Sequence, residues 1–293
     1  MLRIALPNKG RLAEEARELF NDAGLDVKVS GDRALTASLG GVFEALFVRA
    51  QDIPEFVADG AADAGVTGLD LISESNRALH ELADLEFGRC HLAVAVKEES
   101  EITTLAKIPA GARVATTFPR LTERFFARHE VPVEIVPVSG AAEIAPHLGI
   151  ADIIVDLVST GSTLRVNGLR EMTTVLDSSA RMVVAPDTMR RGADGSLDSR
   201  GRDLEELVAA LSSVLRARGK RYVMANVPRA RLDEVRRLLP GITGPTVIDL
   251  FGGGLHVAVH AVTPAAGIYR TIAGLKALGA EGILVTRIER LTP

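Results

Sequence analysis

A single cysteine, Cys90, rules out a disulfide framework within the chain and makes a reducing compartment its natural home. No apolar run approaches the length needed to span a bilayer. The first residues, Met-Leu-Arg-Ile-Ala-Leu-Pro-Asn-Lys-Gly-Arg, carry charge at Arg3, Lys9 and Arg11, so no signal-peptide core is present. Excess basic charge is missing too. The net charge of −4 argues against non-specific nucleic-acid binding. Gly-x-Ser-x-Gly, Cys-x-x-Cys and Walker-type motifs do not occur. What remains is a globular, cytoplasmic protein with 47% hydrophobic and 25% charged residues. Its 293 residues suit two or three domains.

Short apolar runs alternate with helical periods over the first two thirds. Strands are predicted at Leu2–Leu6, Phe43–Val48, Asp63–Val66, His91–Val96, Arg113–Ala115, Val133–Val136, Asp152–Val158 and Met182–Ala185. Helices are predicted at Arg11–Ala23, Ile53–Asp59, Leu121–His129 and Ala141–Leu148. This alternation predicts parallel sheets covered by helices. Residues 186–203 are polar and glycine-rich, hence a surface loop. Asp203 and Glu206 then suggest a capping box ahead of the stripe Leu204, Leu207, Val208, Leu211 and Leu215. The last stretch reads strand, helix, strand, strand, helix, strand, a ferredoxin-like βαββαβ order. Gly252-Gly253-Gly254 falls between two of its strands and predicts a hairpin loop rather than a nucleotide fingerprint.

The densest chemistry lies at Asp152–Thr163. An apolar run carries Asp152 and Asp156, which a strand of period two would hold on one face. It empties into Ser159-Thr160-Gly161-Ser162-Thr163 and a helix-like segment. Small residues let backbone N–H groups approach an anion, and a helix start adds its positive dipole end. Carboxylates before such a cradle suit a ligand with sugar hydroxyls and a phosphate; a buried strand with an ordinary turn is the plainer alternative. Lys9 and Arg11, in Pro7-Asn8-Lys9-Gly10-Arg11-Leu12, sit where ligands of open α/β sheets bind. Cations at a helix start are otherwise unfavourable, which points to something negative beside them. Arg49 ends another strand, with a salt bridge to Asp52 as its alternative use, and Asp70 closes a further turn, where it could simply cap a helix. Thr116–Arg120 is one more such turn. Glu143 reads as dipole compensation in a first helical turn. His256 and His260 share a strand face but lack a third ligand for zinc.

Together, Leu6-Pro7-Asn8-Lys9-Gly10, Arg49-Ala50-Gln51-Asp52-Ile53, Gly65-Val66-Thr67-Gly68-Leu69-Asp70, Phe87-Gly88-Arg89-Cys90 and Asp152 to Leu164 resemble the ATP phosphoribosyltransferases of histidine biosynthesis. The resemblance runs along nearly the whole chain, and the tail resembles the regulatory domain of that family's long form. One departure is Phe118, where the family often has tyrosine.

The resemblance implies a two-lobed catalytic unit like type II periplasmic binding proteins, followed by the ferredoxin-like domain. The expected divisions are lobe I at 1–89 with 181–203, lobe II at 90–180, a connecting helix at 204–218 and a regulatory domain at 219–293. It implies transfer of phosphoribose from phosphoribosyl pyrophosphate to N1 of the adenine of ATP, with Mg²⁺ carried by pyrophosphate. Asp152, Asp156, Val158, Ser159, Thr160, Gly161, Ser162 and Thr163 would bind the donor. Lys9, Gly10, Arg11, Arg49 and Asp70 would bind ATP, with Asp152, Asp156 and Lys9 closest to the chemistry. Asn226, Thr246 and Gly282 match the family's histidine-effector site. Feedback inhibition by L-histidine, a homo-oligomer exchanging between hexamer and dimer, and no separate regulatory subunit follow from the same resemblance. A non-catalytic small-molecule sensor, or a phosphoribosyltransferase for another base, stays open as the alternative.

Overall fold

The computed structural model describes residues 1–28, 34–192 and 195–292. The chain divides into two compact units, Met1–Val208 and Ala209–Pro293. In chain order the first unit begins β1 (Leu2–Pro7), α1 (Ala13–Asp22), β2 (Val27–Lys28), β3 (Thr36–Leu39), β4 (Phe43–Val48), α2 (Ile53–Ala58), β5 (Ala64–Gly68), α3 (Leu69–Ser75) and β6 (His80–Asp84). It continues β7 (Cys90–Lys97), β8 (Ala112–Thr116), α4 (Pro119–Arg128), β9 (Val133–Pro137), β10 (Ile153–Val158), α5 (Ser162–Val166), β11 (Leu169–Ser178) and β12 (Ala180–Val184). Helix α6 (Ser199–Ala217) runs across the division.

Two sheets result. The first has the order β2-β3-β4-β1-β5-β12-β6, with β1 parallel to β4 and β5. The second has the order β11-β7-β10-β8-β9, with β8 parallel to β9 and β10. The chain passes between them twice, at Leu85–Arg89 and at Ser179. The passages are laced together: Leu85 N–H donates to Ala180 O at 2.9 Å, and Ala180 N–H to Phe87 O at 2.9 Å. Two α/β lobes joined by two passages is the type II binding-protein architecture.

Burial explains the strands. Leu92, Val94, Ile153 and Val155 fill one face of the second sheet, and Ala93, Ala95, Ile154 and Val158 the other. Central strands covered on both faces read as continuous apolar runs. Helix α1 buries Ala13, Ala16, Leu19 and Phe20, a stripe at three- and four-residue spacing.

The second unit adds β13 (Lys220–Pro228), α7 (Leu232–Leu238), β14 (Thr246–Asp249), β15 (His256–Pro264), α8 (Ile268–Ala277) and β16 (Glu281–Arg287). Its antiparallel sheet has the order β14-β15-β13-β16, the ferredoxin-like topology. Val223, Val227, Val257, Val259 and Leu275 form its core. The Gly252–Gly254 turn joins the antiparallel pair β14 and β15, as a hairpin requires.

Three expectations need correction. Ala141–Leu148 is not a helix. A single 3-10 turn at Ala142–Ile144 follows Ala141 in the left-handed region, and Pro146 has no N–H to continue a ladder. Helix α6 starts at Ser199, not at 203. The Asp198 carboxylate accepts the Gly201 N–H at 2.7 Å and is the cap, so Asp203 and Glu206 lie inside the helix. Strand β10 starts at Ile153, leaving Asp152 outside it. Of the expected loop at 186–203, Ala193 and Asp194 lie outside the described residues.

Candidate active site in the first unit

Parallel strands deliver their following turns to a common edge. In the first lobe, β1 leads into the turn with Lys9 and Arg11, β4 into Arg49, and β5 into Asp70. In the second lobe, β8 leads into Thr116–Phe118 and β10 into Ser159–Thr163. A cavity of about 490 Å³ lies between the lobes, lined by Asp84, Arg89 and Arg181 from the first and His91, Ser159 and Asp177 from the second.

The loop after β10 is built from small residues for a reason. Gly161 caps α5 with φ of +69°, where a side chain would have space but a strained backbone. The Thr160 and Ser162 hydroxyls lie 2.8 Å apart. A helix start leaves its first N–H groups without helical partners, and α5 carries no acidic residue in its first turn. Hydroxyls and free N–H groups together suit an anion.

Asp156 stands half-buried just before that loop. Its carboxyl is pushed above the usual aspartate range, chiefly by burial and further by the negative charge of Glu143, against a hydrogen bond from the Leu157 N–H. The bond measures 2.8 Å. Sequence reasoning named Glu143 but read it as dipole compensation: its 3-10 turn brings it into the field of Asp156, which no helical assignment of 141–148 would suggest. A half-buried carboxylate in the field of a second one suits a vicinal diol or a cation.

Asp152 is elsewhere. It lies at the opposite end of β10, about 13 Å from Asp156 at strand rise. Its side chain is half exposed, accepts the Arg113 N–H at 2.9 Å and pairs with the Arg113 guanidinium. In this structure Asp152 faces Arg113 at the far end of β10, and the two aspartates are not brought together.

Lys9 and Arg49 are exposed, and neither side chain has a hydrogen-bond or ion-pair partner among the described residues. The alternative salt bridge from Arg49 to Asp52 does not form. Arg11 differs. It pairs with Asp70 at 3.2 Å and also donates to Gly88 O. Asp70 is fully buried, accepts the Ser178 hydroxyl, and donates its own N–H to Ser178 Oγ at 3.1 Å. Gly68 rather than Asp70 caps α3. Arg11 and Asp70 therefore satisfy each other, joining the first turn, α3 and the end of β11. Gly10 holds φ of +87° in that turn.

In the second unit, Asn226 and Gly282 are neighbours. A Cβ on Gly282 would lie 3.6 Å from Asn226 Nδ2. Thr246 faces His260 on β15, about 12 Å from Asn226 by strand spacing and rise. The structure thus joins two of the three expected effector positions. His260 bonds to the Tyr222 hydroxyl. Among the described residues no group of three or more His, Cys, Asp or Glu could hold a metal.

Residues 49–213 match the ATP phosphoribosyltransferase family, and residues 217–290 match the HisG C-terminal domain. The ATP phosphoribosyltransferase of Gemmatimonas aurantiaca is 65% identical over 100% of both chains. That of Haloarcula marismortui is 48% identical over 99% of each. Among solved structures, a chain of the ATP phosphoribosyl transferase (HisG:HisZ) complex from Thermotoga maritima superposes with a TM-score of 0.63 at 25% identity, covering 74% of this chain and 99% of that one.

Proposed function

This chain belongs to the ATP phosphoribosyltransferase family, and on that premise we propose that Ser159–Thr163 holds the 5′-phosphate of phosphoribosyl pyrophosphate. It is a pentosyltransferase acting at the first step of histidine biosynthesis. The observation that carries the site assignment is the junction of a raised, half-buried Asp156, its neighbour Glu143 and the hydroxyl-rich loop.

In the proposed reaction, adenine N1 of ATP attacks ribose C1. The N1–C1 bond forms as the C1–O bond to pyrophosphate breaks, and the bonding pair leaves with the pyrophosphate oxygen. The ring gains positive charge on the way. Asp156 and Glu143 accept hydrogen bonds from the ribose hydroxyls and stabilise that charge. Asp152 has no part in this arrangement. Backbone N–H groups and hydroxyls of Ser159–Thr163, with Val158 anchoring the loop in the core, fix the phosphate. Lys9 and Arg49, both without side-chain partners among the described residues, neutralise substrate phosphates across the cleft. Arg11 and Asp70 hold the first turn rather than touch a phosphate. Positioning supplies most of the rate.

Asp156 and Glu143 are hard oxygen donors, and two carboxylates suit Mg²⁺ that arrives on pyrophosphate better than a resident ion. Bound there, Mg²⁺ would offset charge on the leaving group. We place the enzyme in the cytoplasm; no helix among the described residues is long and apolar enough to cross a membrane. We also assign to the second unit a site for L-histidine as feedback inhibitor, at Asn226 and Gly282, in a homo-oligomer of dimers and hexamers without a separate regulatory subunit. The support is the HisG C-terminal domain match, carried on the same chain. The lobe limits 1–89 with 181–203, and 90–180, belong to this proposal.

Calorimetric titration with phosphoribosyl pyrophosphate tests the site. Wild type binds it, and Asp156→Asn and Glu143→Gln each weaken binding by about tenfold, as loss of a charge-assisted hydrogen bond implies. Undiminished binding in both variants would move the ribose site elsewhere.

A further inference from the structure

Helix α3 belongs to the first lobe by chain order, yet its start is tied to the second passage with the last residue of β11, and its end to the second lobe. At its start, Leu69 N–H donates to Ser179 O at 3.0 Å, and Asp70 exchanges hydrogen bonds with Ser178, the last residue of β11. At its finish, the Glu74 carboxylate accepts the N–H groups of Arg120 and Leu121, each at 2.9 Å. Those are second and third residues of α4, the positions a helix cap normally serves. Phe118, at the cap position, has no side-chain group to serve them. Glu74 therefore caps α4 from another lobe.

The arrangement is reciprocal. Arg120 donates to the carbonyls of Glu74 at 3.2 Å and Ser75 at 3.0 Å, and Arg124 donates to Ser73 O. These are carbonyls in the last turn of α3, which a helix leaves without internal partners. A carboxylate at the start of α4 and guanidinium groups at the end of α3 both match the helix dipoles. Leu71, between the two ends, packs on the core of the second sheet.

We infer that α3 is a strut between the lobes and that Glu74 is a positioning residue which fixes their separation. The strut is about 10 Å long at helical rise. Two attachments that far apart oppose any opening that would part either end; rotation about the α3 axis alone leaves both intact. The lobes then swivel instead of gaping. Asp70, at the first attachment, also holds Arg11, so the strut ties the first turn of lobe I to the lobe that carries Asp156. The link to catalysis rests on the reading given under Proposed function; the mechanical claim does not.

The test pairs a distance with kinetics. Spin labels placed by Glu18→Cys and Glu134→Cys, one on each lobe and diluted with unlabelled chains, report the interlobe distance in ligand-free protein by pulsed electron resonance. The native Cys90 is buried, with its thiol pushed up chiefly by burial, and labels poorly. The account expects a narrow distribution that broadens and lengthens in Glu74→Ala and does so less in Glu74→Gln, whose amide oxygen keeps one of the two N–H bonds. It also expects kcat to fall by about tenfold or more in Glu74→Ala with each KM within about twofold, and the glutamine variant to recover most of it. Arg120→Ala, which removes the contacts to Glu74 O and Ser75 O and leaves that of Arg124 to Ser73 O, serves if Glu74→Ala does not fold and should broaden the distribution too. An unchanged distribution in the folded variants would overturn the strut, whatever the activity. Broadened distances in a protein with no transferase activity would support the strut and remove the catalytic reading instead.

Discussion

Asp156 shows the conflict between stability and function in one side chain. Its folded-state carboxyl is raised, mainly by burial, so folding disfavours its charged form. Above the unfolded value of 3.8 the unfolded chain releases the proton more readily than the native one, and stability falls as pH rises through that value to the folded one. Asp156→Asn should therefore melt at a higher temperature than wild type at pH 7, and the difference should vanish below about pH 4. Melting curves of the two proteins at both pH values check this; a variant less stable at pH 7 contradicts it. Arg11 and Asp70 predict the opposite sign. Arg11→Ala leaves a fully buried carboxylate without its cation, a loss on the order of 3 kcal/mol, read by denaturant unfolding. A loss under about 0.5 kcal/mol would mean that Ser178 alone satisfies Asp70. The sequence made Asp156 legible, because an acidic residue in an apolar run is conspicuous. It named Glu143 without making its use legible, since nothing local says that a 3-10 turn will bring it into the field of Asp156. Asp152 misled because a four-residue spacing keeps one strand face yet sets the two carboxylates about 13 Å apart, at opposite ends of β10.

At the scale of elements, alternation and apolar runs located the buried strands, including β1, β4, β7, β8 and β10. What escaped was polar or short. β11, Leu169–Ser178, lies at a sheet edge with much of its length half-exposed, and β6 is an edge strand of five residues. Edge strands need only one apolar partner and carry a weak period. The α3–α4 joint also left no sequence signal, because its caps come from residues about 46 positions apart. The loop after β10 allows a sharp element-level prediction. Gly161 at φ +69° has open space around it, so Gly161→Ala should cost about 1 kcal/mol through backbone strain alone and weaken phosphoribosyl pyrophosphate binding while ATP binding holds. Equal loss of both ligands would indicate general misfolding of the cleft.

At the scale of the whole molecule, the chain couples a two-lobed α/β unit with a ferredoxin-like unit on one polypeptide. The second unit leaves Met224 and Leu284 exposed on strands whose alternate residues are buried in β13 and half-buried in β16. An effector site at Asn226 and Gly282 predicts that Asn226→Ala raises the L-histidine concentration needed for inhibition by about tenfold and leaves uninhibited turnover near wild type. Unaltered inhibition would move the site off β13. The central claim is the transfer reaction itself. Purified protein with ATP, phosphoribosyl pyrophosphate and Mg²⁺, with pyrophosphate removed enzymatically, should form phosphoribosyl-ATP, followed by ultraviolet absorbance. The account predicts product in wild type, suppression by L-histidine and loss of at least about tenfold in Asp156→Asn. Measurable binding of phosphoribosyl pyrophosphate with no product would contradict it, and would leave a sensor or a transferase for another base.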